Sequence, residues 1–347
     1  MTALDRIHTQ ILWNRLLAVV EEQAQTLVRT AFSTTVREAG DLSAGVFDTR
    51  GRMLTQAITG TPGHVNAMAA SVGFFLQKFP LQTLQPGDVL LTNDPWFGTG
   101  HLNDFTVITP VFRGERAVAL FAATSHIADV GGLGFGPDGR QVFEEGLNIP
   151  MGYLYRRGEL NQVLLEILRV NVRDPRAAEG DLHSLTACNQ AGAGSLLATM
   201  DEFGIDSLDA AADWIISHSR EAMLEEIRKL PFGTWRNAMR IDGYDEPVDL
   251  VCALSIGEEG IDVSFEGTSP VCAHGINVPL TYTQAYASFG VRCVIGNDVP
   301  NNAGSLEVVR VSAPQGSILN APRPAAVSAR HAIGQMLPDV VLGCLEE

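Results

Sequence analysis

Two histidines and an aspartate are the residues of this sequence best placed to do chemistry. His101 and Asp104 form an H-x-x-D pattern inside Asn93-Asp-Pro-Trp-Phe-Gly-Thr-Gly-His-Leu-Asn-Asp104, and His126 follows in Ser125-His-Ile-Ala-Asp129. The chain between them brings them together. Apolar runs at Phe105–Phe112 and Ala117–Ser125 flank Arg113-Gly-Glu-Arg116, the pattern of a β-hairpin. With Gly114-Glu115 as the turn, paired positions sum to 229, so Asp104 faces Ser125 and Asn103 faces His126. Pairs lie about 5 Å apart, so a slip of one or two residues still leaves all three at the open end. Pro110 inside the first run predicts an edge position or a bulge.

Two imidazoles and one carboxylate with room for water describe an open divalent-metal site. It suits Fe(II), Mn(II) or Zn(II) and would generate a hydroxide nucleophile near neutral pH. Asp129 or Asp94 is expected as a fourth ligand or as the group orienting a ligand imidazole. His64, after Thr61-Pro-Gly63, falls at a helix start, where its pKa is expected to move downward, suiting a neutral base or ligand. Glu145, with Glu144 beside it, is a candidate general base. Arg37, Glu38 and Asp41 close the first helix and either reach a pocket or form a helix-end charge network. His8, His183, His218, His274 and His331 have no partners at ligand spacing and read as structural.

The elements that must position these groups are legible from periodicity. Apolar residues recur at helical spacing over 5–36, and a hairpin joins Ala44–Asp48 to Arg52–Thr55. A helix starts after Pro62-Gly63 and runs to Phe79, and Asp88–Asp94 is a buried strand. Helices follow near 159–171, 178–202 and 208–229; strands return after Gly233, with a helix near 281–295 and a last one over 329–347. The reading is α+β: hairpin-built mixed or antiparallel sheets, a long N-terminal helix and a central helical segment. The expected domains are 1–158 carrying the metal site, a helical segment 159–232, and an α+β domain 233–347 that is incomplete at its C-terminus.

Composition narrows the function. The 347 residues are 46% hydrophobic and 18% charged, ordinary globular values. The 24 Lys and Arg against 40 Asp and Glu give a net charge of −16. That balance disfavours nucleic acid and anionic membranes. Five scattered cysteines without a C-x-x-C pair, and no leader-like N-terminus, predict a reduced cytoplasmic protein. Gly134-Phe-Gly-Pro-Asp-Gly139 matches G-x-G-x-x-G formally, but Pro137 and the lack of a following helix reject it as a nucleotide fingerprint; it reads as a loop over a site. No Walker motif is present.

Ser33-Thr-Thr-Val-Arg-Glu38, Asp41-Leu-Ser43, Pro62-Gly-His64, Asn93-Asp-Pro95, Gly100-His-Leu-Asn-Asp104, Ser125-His126 and Glu145-Gly-Leu147 together resemble the hydantoinase B/oxoprolinase family. Gly275-Ile-Asn-Val-Pro279, Pro300-Asn-Asn-Ala-Gly304 and Ala321-Pro-Arg-Pro324 extend the resemblance over nearly the whole chain. It implies a B-type subunit of an ATP-dependent cyclic-amide hydrolase acting on hydantoin, 5-oxoproline or lactam rings. It implies metal ligands at His101, Asp104 and His126, the positions matching the H-x-x-D and later histidine of the related acetone carboxylase subunit. It also implies an A-type ATPase partner subunit that activates the substrate with ATP, and therefore a hetero-oligomer. Ketone carboxylation is the alternative chemistry, and a non-catalytic scaffold is the alternative role. Family members usually continue well beyond the point matching Glu347. An unfinished final helix would then leave Ile333, Leu337, Val341 and Leu345 as an apolar face seeking a partner.

Overall fold

The computed structural model describes residues 3–345. In chain order the elements are α1 (Ala3–Thr30), α2 (Thr34–Arg37), β1 (Leu42–Phe47), β2 (Met53–Gln56), α3 (Pro62–Lys78), β3 (Val89–Thr92), β4 (Asp104–Arg113), β5 (Arg116–His126), β6 (Gly152–Arg156) and β7 (Glu159–Leu160). Then come α4 (Gln162–Asn171), α5 (Pro175–Phe203), α6 (Asp209–Ile227), β8 (Gly233–Ile241), β9 (Val248–Gly257), β10 (Gly260–Ser264), α7 (Leu280–Val294), α8 (Ala303–Glu307), β11 (Val309–Ser312), α9 (His331–Gly334) and α10 (Leu337–Leu342). The fold class is α+β.

One sheet runs β2-β1-β5-β4-β3-β6-β7, antiparallel throughout; the other runs β11-β10-β9-β8, with β10 and β11 parallel. Side chains alternate across the large sheet. Phe105, Val107, Phe121 and Ala123 face the core shared with α1 and α5, whereas Ile108, Leu120 and Ala122 face the core shared with α3. Asp104 and His126 belong by parity to the α3 face, at the end of the sheet where α3 begins. The helical segment 159–232 builds no core of its own. Leu165, Leu185 and Ile215 join the large sheet's core, and Met223, Leu224 and Ile227 join the core of the second sheet.

The hairpin forms with its pairing shifted by one. Asp104 faces His126 directly, and the pairs sum to 230 down to Val111↔Ala119. A bulge between Val111 and Phe112 then shifts the last pairs to the expected 229. Pro110 sits beside that bulge, past the last pairing of β4 with β3 at Ile108, so no ladder bond is asked of its missing N–H.

Two other expectations are corrected. The first helix stops at Thr30, because Phe32 and Ser33 give their backbone N–H groups to Asp181 Oδ1 (2.7 and 3.2 Å) instead of continuing the ladder. The last helix is broken into α9, α10 and a 3-10 turn, and Pro338 opens α10. Its apolar residues are not left seeking a partner: Ile333, Leu337 and Val341 are buried and Leu345 packs against the same core. Residues 346–347 of the expected helix lie outside the described ones. Among the described residues no helix is long and apolar enough to cross a membrane.

Candidate metal centre

Three strands and a helix end converge on one carboxylate. Asp104 opens β4, His126 closes β5, and Asp41 immediately precedes β1, where His126 N–H donates to the Asp41 carbonyl (3.3 Å). Asn103 continues the ladder beyond β4: its carbonyl accepts from Ile127 N–H (2.7 Å), and its Nδ2 donates to the Ile127 carbonyl (3.0 Å). Asn93 fixes the loop that carries His101, donating to the carbonyls of Leu102 (2.7 Å) and Leu147 (2.8 Å). Pro62 at the first position of α3 leaves His64 in the first turn, aimed at the sheet.

Asp104 is buried and fully engaged. Its Oδ1 lies 2.8 Å from His101 Nε2 and 3.2 Å from His126 Nδ1. Its Oδ2 lies 3.0 Å from His64 Nε2 and 2.6 Å from the Arg330 guanidinium, and accepts from the Thr99 hydroxyl. Burial opposes its ionisation, but His64 and Arg330 outweigh that and hold its pKa well below the usual range. His64 departs from expectation. Burial alone would lower its pKa, yet Asp104 and Asp41 raise it overall. Two carboxylates at 3.0 and 3.5 Å exceed the partial charge of a helix start.

His101 decides what the cluster can hold. Its Nδ1 lies 3.0 Å from the Ser328 carbonyl, which only accepts, so Nδ1 carries the proton. Burial and Arg330 hold its pKa down at about 3, so the ring is neutral and Nε2 presents a lone pair. That lone pair, buried and without a hydrogen-bond partner, faces a carboxylate oxygen 2.8 Å away. Two acceptors in such contact call for a cation. His101, Asp104 and His126 each offer one ligand atom, all within 4.8 Å of one another, so the residues fit a divalent ion.

The other expected neighbours are placed differently. Asp129 is engaged elsewhere: Arg173 pairs with Oδ1 (2.7 Å), and the N–H groups of Gly131, Arg173 and Asp174 also donate to its carboxylate. Asp94 holds Arg323 (2.5 Å) and its own loop at Trp96 N–H (3.1 Å), and Arg323 stacks on Trp96. Neither orients a ligand imidazole. Glu145 is buried, with Oε1 accepting from Val327 N–H (2.7 Å) and Ser328 N–H (2.8 Å); it does not line the cavity above the His/Asp/His cluster. Asp41 does line it, whereas Arg37 and Glu38 form an exposed pair.

Reading the sequence missed Arg330 and His331. Arg330 is buried, donates to the Thr99 carbonyl (2.5 Å) as well as Asp104, and lies 4.0 Å over the Tyr282 ring. His331, read as structural, lines the cavity and stacks on Phe135 with ring centres 5.1 Å apart. The cavity measures about 240 Å³, and Tyr282, Tyr286 and Gln335 also border it. Phe135, from the Gly131–Gly139 loop, meets His101 and His126 edge-on at 5.6 and 5.2 Å, so this loop does lie over the cluster. It leads into a 3-10 turn at Val142–Glu144, not a phosphate-binding helix.

Gly100 adjusts this packing. Its φ of +94° and a Cβ position 2.6 Å from Arg330 Cδ leave no room for a side chain. Gly100→Ala is expected to cost about 1–3 kcal/mol, read from urea unfolding; an unchanged midpoint would show that Arg330 yields freely.

The site is thus a buried His/Asp/His cluster under an aromatic roof, at the end of an antiparallel sheet. The chain belongs to the hydantoinase B/oxoprolinase family, whose model matches residues 5–347. It is 30% identical over 361 residues to 5-oxoprolinase of Saccharomyces cerevisiae, covering 98% of this chain and 28% of that protein. It is 27% identical over 365 residues to a provisionally named D-/L-hydantoinase B-type subunit of Pseudomonas sp. (strain NS671), covering 99% of this chain and 62% of that one. Among solved structures, the ATP-dependent caprolactamase of Pseudomonas jessenii superposes with a TM-score of 0.91 at 24% identity, over 99% of this chain and 60% of that one. Acetone carboxylase superposes with a TM-score of 0.85 at 20% identity, over 94% and 46%. These two likenesses establish the fold. The chain thus spans under two thirds of the length of these relatives.

Proposed function

We propose that this chain is the B-type, ring-opening subunit of an ATP-dependent cyclic-amide hydrolase. Its substrate would be a hydantoin, 5-oxoproline or lactam ring activated by an A-type ATPase partner. Family membership supports the reaction class. The single observation that carries the chemistry is the unpartnered lone pair of His101 Nε2 opposite Asp104 Oδ1. A divalent ion held by His101, Asp104 and His126 supplies, when bound, Lewis-acid polarisation and a lowered pKa for water.

This chain's own residues do the rest. Arg330 and His64 keep Asp104 ionised without competing for the Oδ1 side. Asp41 accepts from the Thr61 hydroxyl (2.8 Å) and lies 3.5 Å from His64 Nε2, so a carboxylate and an imidazole share one wall of the cavity. Phe135 and His331 cover the cluster and keep bulk water from it. The tyrosine rings and the Gln335 amide offer a small ring both apolar contact and polar tips.

The first test is metal content by mass spectrometry of wild type, His101→Ala and His126→Ala. About one equivalent in wild type and none in either variant is the expected result. The second test is turnover of hydantoin, 5-oxoproline and caprolactam with ATP and the partner subunit, beside bicarbonate fixation with acetone. Ring opening supports the reading; fixation without ring opening replaces it with a carboxylase.

A further inference from the structure

We infer that Glu145 is the positioning residue of the metal centre, acting on His101 through the backbone of Val327 and Ser328 without touching substrate or ion. This rests on the reading that His101 is a metal ligand.

The connection is continuous and buried. Glu145 Oε1 accepts from the N–H groups of Val327 (2.7 Å) and Ser328 (2.8 Å). The Ser328 carbonyl then accepts from His101 Nδ1 at 3.0 Å, which fixes the tautomer and aims Nε2 at Asp104. Two N–H groups on one oxygen hold the peptides on either side of Val327, and the next peptide, which carries the Ser328 carbonyl, is held at its other end by Ala329 N–H on the Gly275 carbonyl (2.7 Å), leaving that short segment little freedom to rotate. Ligand imidazoles depend on such outer partners, and their loss typically costs about 10–100-fold in metal affinity.

The fold makes room for this carboxyl in particular. A Cβ on Gly275 would lie 3.0 Å from Oε1, and one on Gly139 would lie 3.1 Å from the Glu145 Cγ. Glu145 Oε2 is buried with no partner. A half-satisfied buried carboxyl is a cost to stability, so the group is placed for what Oε1 organises. Backbone bonds on either side of Glu145 close the Gly131–Gly146 loop: Leu133 N–H donates to the Glu144 carbonyl (2.9 Å) and Leu147 N–H to that of Val130 (2.8 Å).

The full chain would be titrated with Co(II), reading the visible ligand-field bands, for wild type, Glu145→Ala, Glu145→Gln and Glu145→Asp. Glutamine keeps the accepting oxygen, and aspartate withdraws it by one methylene. The expected result is a 10–100-fold loss of Co(II) affinity in Glu145→Ala, less than about 3-fold loss in Glu145→Gln, and altered bands in Glu145→Ala. Thermal unfolding distinguishes this from general damage, since a merely structural role would lower stability without restoration of the bands by glutamine. Wild-type affinity and bands in Glu145→Ala would overturn the inference. If Glu145→Ala does not fold, Glu145→Asp decides in its place: weakened Co(II) binding supports the inference and wild-type binding overturns it. Failure of wild type itself to bind Co(II) would instead overturn the ligand assignment beneath it.

Discussion

Arg330→Leu is expected to destabilise the chain by about 3–5 kcal/mol, because Asp104 is left as a buried charge without its cation. The guanidinium has two tasks, the contact to Asp104 Oδ2 at 2.6 Å and the clamp on the Thr99 carbonyl at 2.5 Å. Leucine performs neither, although it keeps apolar contact with Tyr282. The measurement is urea unfolding with a chelator present, so that no metal contributes. Asp104→Leu alone should also be costly, since it strands Arg330. The double variant should cost clearly less than the sum of the two, a coupling of about 2 kcal/mol. A loss below about 1 kcal/mol in Arg330→Leu would mean that His64 alone suffices to compensate Asp104.

The second large effect is a pH dependence traced to Glu145. Burial raises its pKa to about 7, against the lowering action of two backbone N–H bonds. The unfolded-state value is about 4.3, so between these pH values the native state binds more protons than the unfolded one. Stability then falls as pH rises through this window and levels off above about pH 7. A tenfold change in proton affinity is worth about 1.4 kcal/mol, so the loss is on the order of 3 kcal/mol. Glu145→Gln removes the titration. The variant should match wild type near pH 4.5 and exceed it by up to about 3 kcal/mol at pH 8, measured as a difference of urea stabilities in chelator. Parallel curves from pH 4.5 to 8 would show that Glu145 titrates normally.

Most of the His101–Asp104–His126 cluster was legible because a hairpin is a local device. His101, Asp104 and His126 lie within one strand pair and its flanks, and alternation plus a two-residue turn placed them at one end. What the pattern did not contain was the bulge at Val111, a one-residue adjustment that set Asp104 opposite His126. Asp41 was visible only as a helix-end charge, since its position depends on β1 pairing with β5. Asp129 misled because a carboxylate near a candidate ligand in sequence points by default toward the site, while Arg173 and three backbone N–H groups held it elsewhere. Arg330 and His331 were missed because no local period reaches them. The one available signal was a cation set in Pro324-Ala-Ala-Val-Ser-Ala-Arg-His331, a run of small residues in which an arginine needs a buried partner.

Arg330 reaches Asp104 across 226 positions of chain, and Ser328 reaches His101 across 227. Contacts of such separation carry a large closure entropy and are typically made late. The hairpin can form early, from neighbours alone, yet His101 acquires its tautomer and Asp104 its countercharge only when the second sheet's core has come to rest against it. Metal capture, if the proposed site binds an ion, would thereby be a report of completed folding: a chain whose cores have not yet joined presents the same three side chains in the wrong electrostatic setting, and affinity for the ion would rise as the last contacts close. By the same linkage, a bound ion would draw the final docking step forward, since a ligand that binds only the native state stabilises it by RT ln(1 + [L]/Kd).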